Sequence, residues 1–194
     1  MRHAASLFLL FNMTTVVISL AVAAKEFLTD KEIEKIQDNP EIDLRVKIYL
    51  DAAALRLKTA EARLAGQEAE PGDPLEFFTP EDMLDGYFRI LKSVMANLDD
   101  AAVHKPVLAR KEAPSLDPQD WQKRIGKALK NLRSSTEHAA GELQILKKLA
   151  EEKKKEELWT LVNNAIEITS GAHEGAEYGL SKRSDSLDKD SKKK

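Results

Sequence analysis

Cysteine is absent from this 194-residue chain. That excludes disulfides, thiolate metal ligands, cysteine nucleophiles and lipidation on an N-terminal cysteine, so a fold has to be held by its core alone. Glycine is scarce, with eight residues, and aromatics make up 6%. Alongside plentiful Ala, Leu, Lys and Glu, this is a helix-forming composition. Neither sign of charge dominates: 30 basic residues face 33 acidic ones, a net of −3. The strongly basic signature of a nucleic-acid binder is missing. So are the G-x-x-x-x-G-K-[ST] phosphate loop, the G-x-S-x-G elbow and the H-E-x-x-H zinc motif.

What is present begins with an address. MRHAASLFLLFNMTTVVISLAVAAKEF has a positive start at Arg2, an apolar middle interrupted by Asn12, Thr14, Thr15 and Ser19, and a small-residue end. Val22 and Ala24 occupy −3 and −1 for cleavage between Ala24 and Lys25, and Ala21 and Ala23 do the same one residue earlier. Residues 4–24 are also long enough for a retained anchor. The polar interruptions favour a signal peptide over residues 1–24 and a periplasmic or secreted protein with no stable membrane insertion after cleavage. An exported chain without cysteine points to a bacterial periplasm.

The remainder predicts an all-α, single-domain bundle of four to five helices over residues 25–180, followed by a disordered charged tail over 181–194. Thr29 and Glu32 have capping-box spacing for a first short helix. Asn39-Pro40 reads as its end and as the N-cap and first position of a second helix running to a stop at Gly66. Ile42, Val46, Tyr49, Leu50, Ala53, Leu57, Ala60 and Leu64 form one apolar stripe on it. In the following loop Leu75, Phe77 and Phe78 are expected to fold back onto the core. Thr79-Pro80-Glu81-Asp82 and Asp117-Pro118 start two more helices, separated by an irregular joint at 105–117. The polar run AEEKKKEE between Leu149 and Leu158 allows either one continuous helix or a turn. Compactness favours the turn, because an unbroken helix from Asp117 to residue 170 would be about 80 Å long.

Chemistry is hard to find. His104, His138 and His173 have Ala101, Ser135 and Ser170 three residues earlier, so the Glu-x-x-His pairs of di-iron bundles are absent. His138 and Glu142 form an i, i+4 pair of the kind common on solvated helix faces, too few ligands for a metal. Ser134, Ser135 and Thr136 read as small polar residues on the helix exterior or at a close crossing. Asp99 and Asp100 read as solvated surface. GAHEGAEYG at 171–179 spaces Gly171, Gly175 and Gly179 by four, with Ala172 and Ala176 beside them. Such spacing suits a closely packed last helix ending near Leu180, with Ile166, Ile168 and Tyr178 to bury. No catalytic, cofactor or metal residues are assigned.

The leading expectation is an exported, non-enzymatic helical protein that binds another protein or a second copy of itself. Leu28-Thr29 opening a charged helix, with Gln37 nearby, resembles over about ten residues the Leu-Thr-x-x-Gln openings of the Spy/CpxP-like family, with Glu32 in place of the glutamine. The resemblance implies a periplasmic helical chaperone or stress adaptor. A third alternative is a small-ligand carrier or enzyme with a site inside the bundle around Tyr49, Tyr87 and Trp159, whose bland reading is core packing.

Overall fold

The computed structural model describes residues 27–103 and 117–191, with 184–191 followed as helix backbone only. The leader with its Ala24/Lys25 junction, His104 and most of the 105–117 joint lie outside the described residues. Five helices are present: α1 (Asp30–Asp38), α2 (Ile42–Leu64), α3 (Pro80–Val103), α4 (Pro118–Glu152) and α5 (Glu156–Ser191). No strand occurs among the described residues.

Most boundaries follow from local chemistry. Thr29 Oγ1 accepts from the Glu32 N–H at 3.3 Å while Glu32 Oε2 accepts from the Thr29 N–H at 2.8 Å, closing the capping box of α1. Thr79 and Asp82 exchange the same two bonds at 3.1 and 2.9 Å at the start of α3. Asp117 Oδ1 accepts from the Gln119 N–H at 3.0 Å ahead of Pro118. Gly66 follows α2 with φ +90°, a conformation that only glycine adopts without strain.

One boundary differs from expectation. α2 begins at Ile42 with Glu41 as N-cap, rather than at Pro40 with Asn39 as cap. Asn39 is already committed backwards: its N–H donates to Ile36 O at 3.4 Å and its side-chain amide to Lys35 O at 2.7 Å. The helical ladder of α2 starts two residues later, with the Arg45 N–H donating to Glu41 O at 3.0 Å.

The polar run after Leu149 is a turn. α4 stops at Glu152, α5 begins at Glu156, and Lys154 between them has φ +52°. A side chain in this left-handed region clashes with its own carbonyl. Lys154→Gly should therefore stabilise the protein by about 0.5–1 kcal/mol, raising the thermal midpoint by a few degrees in calorimetry.

α2, α3, α5 and α4 form a four-membered ring in that order. α2 packs on α3 and α4, α5 packs on the same two, α3 meets α4 only slightly across the diagonal, and α1 lies against α2 alone. Glu41 and Asp43 at the start of α2 pair with Arg124 and Lys127 near the start of α4, so these neighbours run parallel. Lys155 in the α4–α5 turn reaches Glu81 at the start of α3 at 3.2 Å, so α3 and α5 run parallel too. The chain passes from α3 to α4 across the diagonal, where the Trp121 indole N–H donates to Ala101 O at 3.3 Å. Fully buried Leu57, Ile90, Leu143 and Val162 contribute one residue from each ring helix to the core.

Two further expectations change. Phe77 is 78% exposed, whereas Leu75 is buried and Phe78 half-buried. The Phe78 N–H donates to Leu75 O at 3.1 Å, and such an i→i+3 turn puts residues 75 and 78 on one side and 77 on the other. α5 does not end near Leu180: its helical backbone is followed to Ser191. No glycine or proline interrupts 181–191. Arg183 donates to Gln122 O at 3.3 Å and also bonds the Gln122 side-chain oxygen, fastening this turn of α5 to α4.

Candidate functional site

One of the largest fully buried side chains is a charged one. Arg56, midway along α2, is 1% exposed. Its Nε donates to Phe27 O at 3.1 Å, Nη1 to Glu32 Oε1 at 2.8 Å and Ala52 O at 2.9 Å, and Nη2 to Phe27 O at 2.8 Å and Glu32 Oε2 at 2.7 Å. Those five bonds use all five guanidinium N–H groups in a two-pronged grip on the Glu32 carboxylate. Gly86 of α3 roofs the socket: a Cβ there would lie 3.5 Å from Arg56 Cδ and 3.8 Å from Phe27 O. The Arg89 guanidinium stands 4.6 Å over the Phe27 ring. The segment ahead of α1 is thus pinned across both α2 and α3.

A second charged cluster joins α2 to α4. Asp43, 4% exposed, accepts from Lys127 at 2.9 Å and Arg124 at 3.4 Å, and Arg124 also pairs with Glu41. A third polar contact ties α3 to α5. The buried Thr169 hydroxyl donates to Ala165 O at 2.6 Å, leaving its oxygen to accept from the Tyr87 hydroxyl at 2.7 Å. Burial pushes the Tyr87 phenol well above its ordinary value, so it stays a neutral donor.

The carboxylates titrate in opposite senses. Burial alone would raise Glu32, but the bonds from Arg56 and the Thr29 N–H, with the Arg56 charge, hold it below its ordinary value of 4.5. Burial would likewise raise Asp43, but the bond and charge of Lys127, with the bond from Arg124, outweigh it and hold the carboxyl below its ordinary value of 3.8. Both groups stabilise the fold above their unfolded pKa values, and that stability is lost as pH falls through the depressed folded values. Glu142 is raised, first by burial and then by Glu61, so its penalty fades as pH falls toward 4.5. The unfolding midpoint should therefore rise slightly on acidification from pH 7 to about 5 and fall steeply below about pH 4. Denaturant titrations at stepped pH check this. The acid limb should flatten in Glu32→Gln; an unchanged limb would remove Glu32 from the account.

The aromatic trio does not converge on one cavity. Tyr87 is in the core and Tyr49 is half-buried, but Trp159 is 42% exposed. The Trp159 indole N–H donates to Glu151 at 3.4 Å, and Lys147 stands 5.8 Å over the ring. The Thr169 partner of Tyr87 lies ten residues further along α5, about 15 Å away at 1.5 Å per residue. His138 is on the surface with Nδ1 bonded to Ser134 O at 2.7 Å. Thr136 is buried at a crossing: its hydroxyl donates to backbone and its oxygen accepts from His173 Nδ1 at 3.1 Å, with Glu177 3.6 Å from the other ring nitrogen. No group of three metal-capable side chains forms among the described residues. Asp99 and Asp100 are exposed.

Of GAHEGAEYG, the buried members are Ala172 and Ala176, while Gly171 and Gly175 face solvent and Tyr178 is 61% exposed. The Leu28-Thr29…Glu32 opening that carries the Spy/CpxP-like resemblance is used inside the molecule, as a cap and as the ligand of Arg56. Arg56 itself was missed, though a signal existed. It lies three residues after Ala53 and four before Ala60, within the apolar stripe of α2, where a cation requires a partner. None of the described helices is long and apolar enough to cross a membrane. Comparison of the chain with known protein families, curated proteins and solved structures finds no match.

Proposed function

We propose that this chain is exported, is cleaved between Ala24 and Lys25, and then acts as a helical interaction protein that engages a protein partner through its surface. The observation that carries this reading is how the interior spends its polar groups. The buried polar side chains Asp43, Arg56, Thr136 and Thr169 each bond another part of the chain. Only Arg45 Nε, on a half-buried side chain, is buried without a hydrogen-bond partner among the described residues. A binding or catalytic cavity needs a few convergent polar groups left for its ligand, and this interior supports packing instead. Recognition then falls to the outside, where Leu55, Ile145 and Trp159 stand exposed among charges.

Two measurements test the reading. Expressed with its leader in a bacterial host, the protein should collect in the periplasm with Lys25 as its first residue; an intact leader in the cytoplasm would sink the export half. Native mass spectrometry of the purified protein should show no retained small molecule. A stoichiometric non-peptide mass would overturn the surface reading and favour a ligand carrier.

A further inference from the structure

The Arg56 socket holds the chain just past the proposed cut. Only Lys25 and Glu26 stand between the Ala24–Lys25 bond and Phe27. At full extension two residues reach about 7 Å. Phe27 O takes two bonds from Arg56, at 3.1 and 2.8 Å, and that side chain is 1% exposed. The Phe27 ring lies under Arg89, Leu28 packs on the core, and residues 27 and 28 bend rather than extend. Glu32 completes the attachment through its two bonds to Arg56. The segment from Phe27 to Glu32 is thus a strap clamped at both ends by one guanidinium.

A protease needs the opposite arrangement. Its cleft takes in chain on both sides of the bond it cuts, straightened and clear of the folded body, so cutting concentrates where the chain is exposed and untied. With the strap docked, Phe27 is bent, bonded through its carbonyl and set against Gly86 of α3. Lifting it away together with Glu32 strips the buried guanidinium of every bond except the one to Ala52 O, which leaves an uncompensated charge. Cleavage of a locally opened state follows the population of that state. A folded precursor is therefore cut only through the small fraction of molecules whose strap has come away, whereas unfolded chain carries no such restriction.

We infer that the Arg56 socket sets the order of maturation: the leader is removed before the strap docks, and a chain that folds with its leader attached is held as an uncut precursor. This ordering rests on the cleavage proposed above and goes beyond it, because it makes the unfolded chain the substrate of the processing peptidase.

The test uses the full chain with its leader, purified in mild detergent and incubated with a bacterial signal peptidase. Leu57→Asp, which puts a charge at a fully buried core position, supplies the unfolded reference, checked by circular dichroism. Folded wild type should be cut about tenfold or more slowly than this reference. Inserting Gly-Ser-Gly-Ser-Gly-Ser-Gly-Ser between Glu26 and Phe27 moves the bond away from the socket without touching it, and should bring the folded protein up to the reference rate. Glu32→Gln, folded but with a weaker clamp, should be cut faster than wild type. Folded wild type cut as fast as the reference, an insertion that brings no gain, or a Glu32→Gln rate equal to wild type would each overturn the ordering. If the unfolded reference itself is not cut between Ala24 and Lys25, the cleavage reading falls and takes the ordering with it.

Discussion

Arg56→Ala should lower the unfolding free energy by about 3–5 kcal/mol, the usual cost of breaking a buried charge pair by removing one partner. The variant deletes a side chain that is 1% exposed and removes the five bonds that Arg56 gives to Phe27 O, Ala52 O and the Glu32 carboxylate, whose Oε2 keeps the Thr29 N–H. Glu32 retains some access to water, its side chain being 14% exposed, so Glu32→Gln should cost less, with the guanidinium keeping four of its five bonds in weaker form. Arg56→Lys should fall between the two: it preserves the charge, but three donors on a flexible stem cannot reproduce a planar fork. Urea melts give the measurement. With a slope of about 2 kcal/mol per molar, Arg56→Ala should move the midpoint by about 1.5–2.5 M. A shift under about 0.3 M would show that α1 and its strap are passengers on the bundle.

The same residue shows where a sequence is legible and where it is not. Helix starts were readable because their chemistry is local: Thr29 with Glu32, Thr79 with Asp82 and Asp117 with Pro118 each act within three residues. Asn39 misled because two local rules competed for it, and ending α1 won over starting α2. The break after Leu149 lacks glycine and proline, so only the compactness of the whole pointed to it, and Lys154 makes the turn at a cost in backbone strain. Periodicity identifies which face of a helix is buried but not which neighbour buries it. The α2–α3–α5–α4 order and the diagonal passage were therefore out of reach. Arg56 lies between these cases. Its place in an apolar stripe announces the need for a partner, yet the partner is 24 residues away in a different helix. Likewise Tyr87 and Trp159 are both aromatic and both on ring helices, but one faces the core and the other solvent.

Ala176→Leu should destabilise the protein by about 2–3 kcal/mol through overpacking, while Gly175→Ala, one residue earlier, should stabilise it by up to about 1 kcal/mol. The opposite signs follow from which small residues actually sit at the seam. Ala172 and Ala176 are 1% and 0% exposed, and with Thr169 they form the buried edge of α5. A leucine at 176 has no solvent to enter and must displace its neighbours. Gly171 and Gly175 face outward, and a Cβ on either would meet nothing within 4 Å. They carry the entropic cost of glycine in a helix without any packing return within the chain. Gly179 is the exception: a Cβ there would stand 3.0 Å from Leu129 Cδ1, so Gly179→Ala should show little of the gain expected at 175. Thermal or urea melts of the three single variants separate these effects. If Gly175→Ala and Ala176→Leu changed stability in the same direction, the face of α5 assigned to the core would be the wrong one. If the order holds, the close approach belongs to Ala172, Ala176 and Gly179, and Gly171 and Gly175 have no part in it despite the shared four-residue spacing.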